Sequence, residues 1–313
     1  MSLTKLKEIQ EKYFSGEKGY LNVMEHILDN GYETGDRTGT GTIVSPTPHQ
    51  LYFKNVAERF PLFTTKYVSF NMLAVEMLWF ISGSTNTKDL EQMGSPSMAK
   101  MWNNWADDDG NLGPIYGSKW RKWKTYNSEN FLDDSDDLIG YKEIDQLTKA
   151  IDKIKNNPGS RRIKVNAWDP ADVENMALPP CHFDYQFTCQ PTGIEHAQDT
   201  EEPKQVYKLH LHMTQRSCDM FLGVPFNVAQ YALLLMLVAK VTNTVPGDFT
   251  WTGINCHIYQ NHLEAVQRQL SRRPKDLPKV EVADLDDIDE FTIEDILLTN
   301  YEHHPKIKAE VSV

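Results

Sequence analysis

The sequence predicts an α+β fold, with a mixed or antiparallel sheet and helices packed around it. Three observations carry that reading. Apolar and polar residues alternate with period two over 162–168, 183–189 and 206–214, as half-buried strands require. Residues 4–30, 68–82 and 229–242 instead place apolar residues at helical spacing or run apolar almost without a break. The chain has no repeat at solenoid periods and no sustained heptads.

The elements follow in order. Residues 4–30 predict a helix that stops at Asn30-Gly31. Gly35-Asp36-Arg37-Thr38-Gly39-Thr40-Gly41-Thr42 is a flexible, β-prone turn carrying one arginine. The apolar helix over 68–82 encloses a single carboxylate, Glu76. Residues 126–141, with Asp133-Asp134-Ser135-Asp136-Asp137, predict an acidic surface loop, and 141–155 an amphipathic helix stopped by Pro158-Gly159. A second acidic insert, 190–205, separates two of the strands. Residues 256–272 read as a further helical stretch, and 284–290 as an acidic run that solvation alone explains. The acidic stretches near 126–140 and 190–205 read as decorations on one domain spanning 1–313.

Composition narrows the function. Among 313 residues, 32 Lys and Arg face 44 Asp and Glu, a net charge of −12. Such a chain has no general field for DNA or an anionic membrane, so a phosphate ligand needs a local arginine cluster. The longest apolar run, 231–239, falls short of the ~20 residues that cross a bilayer. The first residues lack the apolar stretch of a secretory signal, which points to the cytoplasm. Cys181, Cys189, Cys218 and Cys256 form no metal-binding spacing, so no metal site is expected.

Four groups of residues are candidates for chemistry. In Leu178-Pro179-Pro180-Cys181-His182, two prolines stiffen the chain before a cysteine, which is either a pre-organised nucleophile or a buried structural thiol. Arg37, the pair Arg161-Arg162, and Gln215-Arg216-Ser217 lie beside turn or small residues; their planar forks suit phosphate, or they are simply solvated. Glu76 is either a desolvated proton carrier or a helix residue pointing out of a groove. Asp219, Gly223, Phe226, Asn227, His257 and Tyr259 place polar groups among apolar ones. Asn227 offers donor and acceptor on one amide, suited to an imide edge; the alternative is turn and capping duty.

Together these segments resemble the thymidylate synthase and pyrimidine hydroxymethylase family. The resemblance runs collinearly from about Asn22 to Val313. It includes the 36–42 turn, Phe60-Pro61-Leu62-Phe63-Thr64-Thr65-Lys66, Leu78-Trp79-Phe80-Ile81-Ser82-Gly83 and Leu112-Gly113-Pro114-Ile115-Tyr116-Gly117. It continues through Arg161-Arg162, 178–182, 215–227, His257-Ile258-Tyr259 and the tail His304-Pro305-Lys306-Ile307-Lys308.

The resemblance implies a six-stranded mixed sheet packed back to back in a homodimer. It implies methyl transfer to deoxyuridylate (dUMP) from 5,10-methylenetetrahydrofolate, giving thymidylate (dTMP) and dihydrofolate. Cys181 would attack C6 of uracil, and neighbouring arginines would favour its thiolate. Glu76 would organise water for proton transfer, and Tyr116 would help remove the C5 proton. Arg37, Gln215, Arg216 and Ser217, with His182, would line the nucleotide site, and Arg161 and Arg162 would reach in from the partner subunit. Asn227 would read O4 and N3, and His257 and Tyr259 the sugar hydroxyl. Ile81, Trp102, Trp105, Asp219, Gly223, Phe226 and the tail ending at Val313 would hold the folate, with Asp219 also serving catalysis.

Relatives diverge after a shared intermediate: synthases reduce it with hydride, hydroxymethylases add water. Trp102 and the closing tail favour water exclusion and so the synthase, while Asn227 argues for uracil over cytosine. A different class is a catalytically silent homologue binding nucleotide or RNA; retention of nucleophile, proton carrier and arginines together speaks against it. The chain departs from the family pattern at Tyr67, Lys119, Asp169 and Asn255, and in the length of its 190–205 insert.

Overall fold

A computed structural model describes residues 16–126, 141–196 and 204–312. The amino-terminal helix α1, Gly16–Asn30, buries Tyr20, Met24 and Ile27 along one face. The carboxylate of Glu17, in its first turn, accepts the backbone N–H and hydroxyl of both Thr64 and Thr65. Residues 4–15 of the predicted helix lie outside the described residues.

The main sheet is built from β1 (Tyr32–Thr34), β2 (Thr42–Val44), β3 (His49–Phe53), β6 (Lys164–Asn166), β7 (His182–His196), β8 (Lys204–Asp219) and β9 (Val245–Tyr259). Its order is β1-β2-β9-β8-β7-β6, with β3 also on β9. Seven segments thus fill six lateral positions, because β3 pairs with Phe249–Gly253 and β2 with His257–Tyr259 along the same edge of β9. All pairings are antiparallel except β8 with β9, so the sheet is mixed as the sequence implies.

Parallel neighbours need a crossover, and α7, Gly223–Val241, supplies it. Between Val228 and Val241 every residue except Lys240 is buried, so α7 is apolar all round and runs through the core. Its 19 residues have the length and composition of a membrane span, yet 83% of the most apolar window is buried inside the protein. Against it packs α2, Phe70–Ser82, buried from Leu73 through Ile81 and ended by Gly83 in the left-handed conformation, φ 74°. Short helices α3 (Thr87–Gln92), α4 (Pro96–Trp102) and α5 (Tyr116–Arg121) complete that layer. Gly117 lets α5 press on α2, since a Cβ there would stand 2.4 Å from the Phe80 carbonyl oxygen. One contiguous apolar cluster runs through the molecule.

Three elements differ from the sequence reading, each because part of the segment pairs as a β-strand. Residues 141–155 divide into strand β5, Tyr141–Ile144, paired with β4, Trp123–Tyr126, and helix α6, Gln146–Asn156, which the Asp145 side chain caps. The 190–205 insert is a continuation of the β7–β8 hairpin rather than a loop, with pairs from Gln190 with Lys208 to His196 with Lys204. The acidic loop residues 127–140 and the hairpin tip 197–203 lie outside the described residues. The helix predicted over 256–272 begins only at Leu263: Cys256–Tyr259 is the end of β9, and α8 spans Leu263–Leu270. The acidic run near 284–290 follows β10 (Lys279–Val282), which pairs with β11 (Ile296–Thr299); there Asp289 pairs with Arg121 and Asp284 with Lys240.

Candidate active site

The parallel strands β8 and β9 end side by side at Asp219 and Tyr259, and α7 starts four residues after Asp219. Ligands of open α/β sheets bind outside the carboxyl ends of parallel strands. Here those ends, α2, α4, α5 and the turn before β7 surround a cavity of about 300 Å³.

Cys181 forms part of its wall. Its backbone N–H donates to Tyr116 Oη (2.8 Å), and its carbonyl accepts from the Arg216 N–H (2.8 Å). The Pro179 and Pro180 carbonyls accept from Nη2 and Nε of Arg216, each at 2.8 Å. The two prolines, which have no N–H to satisfy, therefore turn their oxygens to the guanidinium. Arg216 lies over the Trp168 ring at 5.1 Å, locked behind the thiol. Burial pushes the Cys181 thiol up, opposed first by Arg216, then by Tyr116, Arg37 and Ser217. The arginines pull toward thiolate as the sequence reading has it, but burial outweighs them and the net shift is upward.

His182 stacks on Tyr116, ring centroids 4.4 Å apart, and shares a hydrogen bond with Tyr231 Oη (2.9 Å). Burial pulls its pKa down to about 3, so it lines the cavity as a neutral ring. Burial also holds the Tyr116 phenol well above its ordinary range.

Glu76, 6% exposed, reaches the cavity from α2. One carboxylate oxygen accepts the Trp102 indole N–H and the other the Gln230 amide N–H. Burial raises its pKa to about 7, and the two hydrogen bonds pull it back down. A carboxyl balanced there exchanges protons near neutrality.

Asn227, in the first turn of α7, also lines the cavity. Its Oδ1 accepts from Gln215 Nε2 (3.0 Å), and its Nδ2 donates to Gln230 Oε1 (3.3 Å). Gln215 is 2% exposed and its amide is committed: it accepts from Trp251 Nε1 and donates to the Ser217 carbonyl, each at 3.0 Å, besides Asn227. Gln215 lines the cavity, and its amide also holds Asn227. Gln230 escaped the sequence reading. The available signal was one amide, a helical turn after Asn227, inside an otherwise apolar helix.

A second depression of about 360 Å³ adjoins the first, sharing Ser217, His257 and Tyr259 with it and adding Arg37 and Arg216. The exposed Arg37 is carried by the loop between β1 and β2, which Asp36 shapes by accepting from Thr38 Oγ1 and the Gly41 N–H. His257 and Tyr259 meet edge to face at 5.3 Å, and burial lifts Tyr259 to about 12. Arg161 and Arg162 are exposed ahead of β6, at the opposite edge of the sheet from β1, so they do not join this depression within the chain.

The remaining wall is apolar: Met72, Met101, Trp105, Leu222 and Phe226, with Trp102 5% exposed. Asp219 and Gly223 also line it; Asp219 Oδ1 accepts the N–H groups of Phe221 and Leu222. Ile81 does not line it. That side chain is 2% exposed in the core, and Phe80 stands on the wall instead. Val311 closes one side, in a tail tied down where His262 Nε2 donates to the Glu310 carbonyl (2.7 Å) and Thr40 to Ser312 (3.2 Å). Val313 lies outside the described residues. Among the described residues, no three His, Cys, Asp or Glu side chains are grouped to hold a metal ion.

The family model described as thymidylate synthase matches residues 18–313. The chain belongs to the thymidylate synthase family. That membership supports thymidylate synthase-type or related hydroxymethylase chemistry, dependent on a folate.

Four departures from the thymidylate synthase pattern acquire physical reasons. Lys119 is 1% exposed, and its Nζ donates to Asp169 Oδ2 (2.8 Å) and Asp172 Oδ2 (2.6 Å). The unusual Lys119 and Asp169 are thus two halves of one buried ion pair. Asn255 preserves an acceptor for His257, with Oδ1 2.9 Å from Nδ1. Tyr67, where a second lysine is frequent in the family, packs against His303 at 4.9 Å and offers an aromatic face in place of a cation.

Proposed function

We propose that the protein is a thymidylate synthase, converting deoxyuridylate and 5,10-methylenetetrahydrofolate to thymidylate and dihydrofolate. The observation that carries this reading is the juxtaposition of Cys181 and Glu76 in one cavity, Glu76 being capped by the indole of a nearly buried Trp102. In this reading the phosphate enters the Arg37, Arg216 and Ser217 depression, and the sugar lies by His257 and Tyr259. The base then meets Cys181 and Asn227.

Cys181 gives up its proton and its sulfur bonds to C6, so the C5–C6 π pair moves toward C5 and O4. Asn227 Nδ2 donates to O4, where that charge gathers. The C5 carbon bonds to the one-carbon unit as one of its two carbon–nitrogen bonds to the folate breaks. The C5 proton then leaves beside Tyr116 as the second carbon–nitrogen bond breaks, freeing tetrahydrofolate and leaving an exocyclic methylene on C5. Glu76, poised near neutrality, passes protons through water. The folate supplies the hydride that completes the methyl group, and departure of the Cys181 sulfur restores the ring. The apolar wall and tail favour hydride over water at the exocyclic carbon.

We further propose a homodimer in which Arg161 and Arg162 complete the phosphate site of the partner subunit. All four cysteines are free, which suits a reducing cytoplasm. The test is dihydrofolate formation, followed by absorbance, with both substrates present. The proposal requires formation by wild type and loss in Cys181→Ala; activity retained in that variant removes the nucleophile.

A further inference from the structure

The polar groups around Asn227 form a chain whose direction is set at both ends. The Trp251 indole N–H can only donate and the Ser217 carbonyl can only accept. Both meet Gln215, so Gln215 must turn Oε1 to Trp251 and its amide nitrogen to Ser217 and Asn227. At the far end, the Glu76 carboxylate accepts from Trp102 through one oxygen. Its other oxygen, when Glu76 is ionised, requires the amide nitrogen of Gln230. Gln230 must therefore turn Oε1 to Asn227, whose Nδ2 supplies the donor. Oδ1 of Asn227 is left facing Gln215, in agreement with the first end. A flipped Asn227 would set N–H against N–H at Gln215 and oxygen against oxygen at Gln230.

We infer that Gln230 is a specificity-determining positioning residue: held between Asn227 and Glu76, it fixes the sense in which Asn227 presents donor and acceptor, so that the cavity takes a keto-imide pyrimidine and rejects an aminopyrimidine. The inference rests on the reading of this cavity as a uracil nucleotide site. Uracil offers an acceptor at O4 and a donor at N3, matching Nδ2 and Oδ1 of the anchored amide. Cytosine offers a donor and an acceptor at those places and needs the flipped amide. Gln230 is fully buried, 0% exposed. The carboxylate of Glu76 thereby takes part in base choice through Gln230, in addition to any role in proton transfer.

The test is equilibrium binding of deoxyuridylate and deoxycytidylate, by calorimetry, to full-length wild type, Gln230→Met and Gln230→Glu. Methionine fills the space and removes both amide functions. The preference for deoxyuridylate should fall about tenfold, roughly the orienting effect of one hydrogen bond. Glutamate keeps an oxygen for Asn227 and shares one solvent-derived proton with Glu76, so it should hold the preference within about threefold of wild type. A merely structural role would weaken both nucleotides alike and leave the ratio unmoved. An unchanged ratio in Gln230→Met, or an equal loss in Gln230→Glu, overturns the inference while leaving the proposed activity standing. Wild type that prefers deoxycytidylate, or binds neither nucleotide, overturns the functional reading and this inference with it.

Discussion

The buried ion pair of Lys119 allows a quantitative test. Replacing Lys119 by methionine removes an ammonium that is 1% exposed and strands two carboxylates. Breaking a buried pair from one side costs about 3–5 kcal/mol. The Asp172 side chain is 30% exposed and turns to water, whereas that of Asp169 is 12% exposed. The lower end, about 3 kcal/mol, therefore applies to both Lys119→Met and Lys119→Gln. Asp169→Asn should cost only about 1 kcal/mol, because Asp172 still faces the ammonium and the asparagine oxygen still accepts from the Ala171 N–H. The double variant Lys119→Gln, Asp169→Asn replaces charges with two amides that satisfy each other. It should lie within about 1 kcal/mol of wild type, a coupling of at least about 3 kcal/mol. Urea unfolding at one fixed protein concentration, followed by tryptophan fluorescence, measures all five proteins. Additivity of the two single changes within about 0.5 kcal/mol would refute the claim that these residues compensate each other.

Other expectations follow from the same geometry. Cys181→Ala should abolish turnover yet bind deoxyuridylate about as tightly as wild type, because Arg216 keeps the Pro179 and Pro180 carbonyls; calorimetry that shows binding lost would give the side chain a binding role instead. Asn227→Asp should shift preference toward deoxycytidylate, read as the ratio of the two nucleotides' kcat/KM; an unmoved ratio removes Asn227 as the base reader. Glu76 has a folded pKa of about 7 against an ordinary 4.5, so its burial costs nothing below about pH 4 and most above pH 7. Glu76→Gln should therefore gain stability relative to wild type as pH rises from 4 to 8, by up to about 3 kcal/mol, while losing turnover. A pH-independent difference in urea midpoints would contradict that sign.

Much of the site was legible because it violates local rules. A carboxylate inside 68–82 has to find partners, and Glu76 finds Trp102 and Gln230. A diproline before Cys181 removes two N–H groups, and the carbonyls left over hold Arg216. What the sequence concealed depends on partners far along the chain. Cys256–Tyr259 looks helical until its pairing with Thr42–Val44 is known, some two hundred residues away. The same is true of Lys119 and Asp169, which looked like two separate departures and are one contact. Gln230 was hidden by the apolar residues around it, since one amide in a long buried helix does not change its periodicity. Ile81 lies in the core and Phe80 lines the cavity: on a helix buried from Leu73 to Ile81, composition does not say which side faces inward.

The central claim is that hydride, not water, ends the reaction. Wild-type protein incubated with deoxyuridylate and 5,10-methylenetetrahydrofolate, with the nucleotide product weighed by mass spectrometry, tests it most directly. The account predicts thymidylate with an equal amount of dihydrofolate. Hydroxymethyldeoxyuridylate with tetrahydrofolate would contradict it, because water would then reach a carbon that Trp102, Phe226 and Val311 are held to shield.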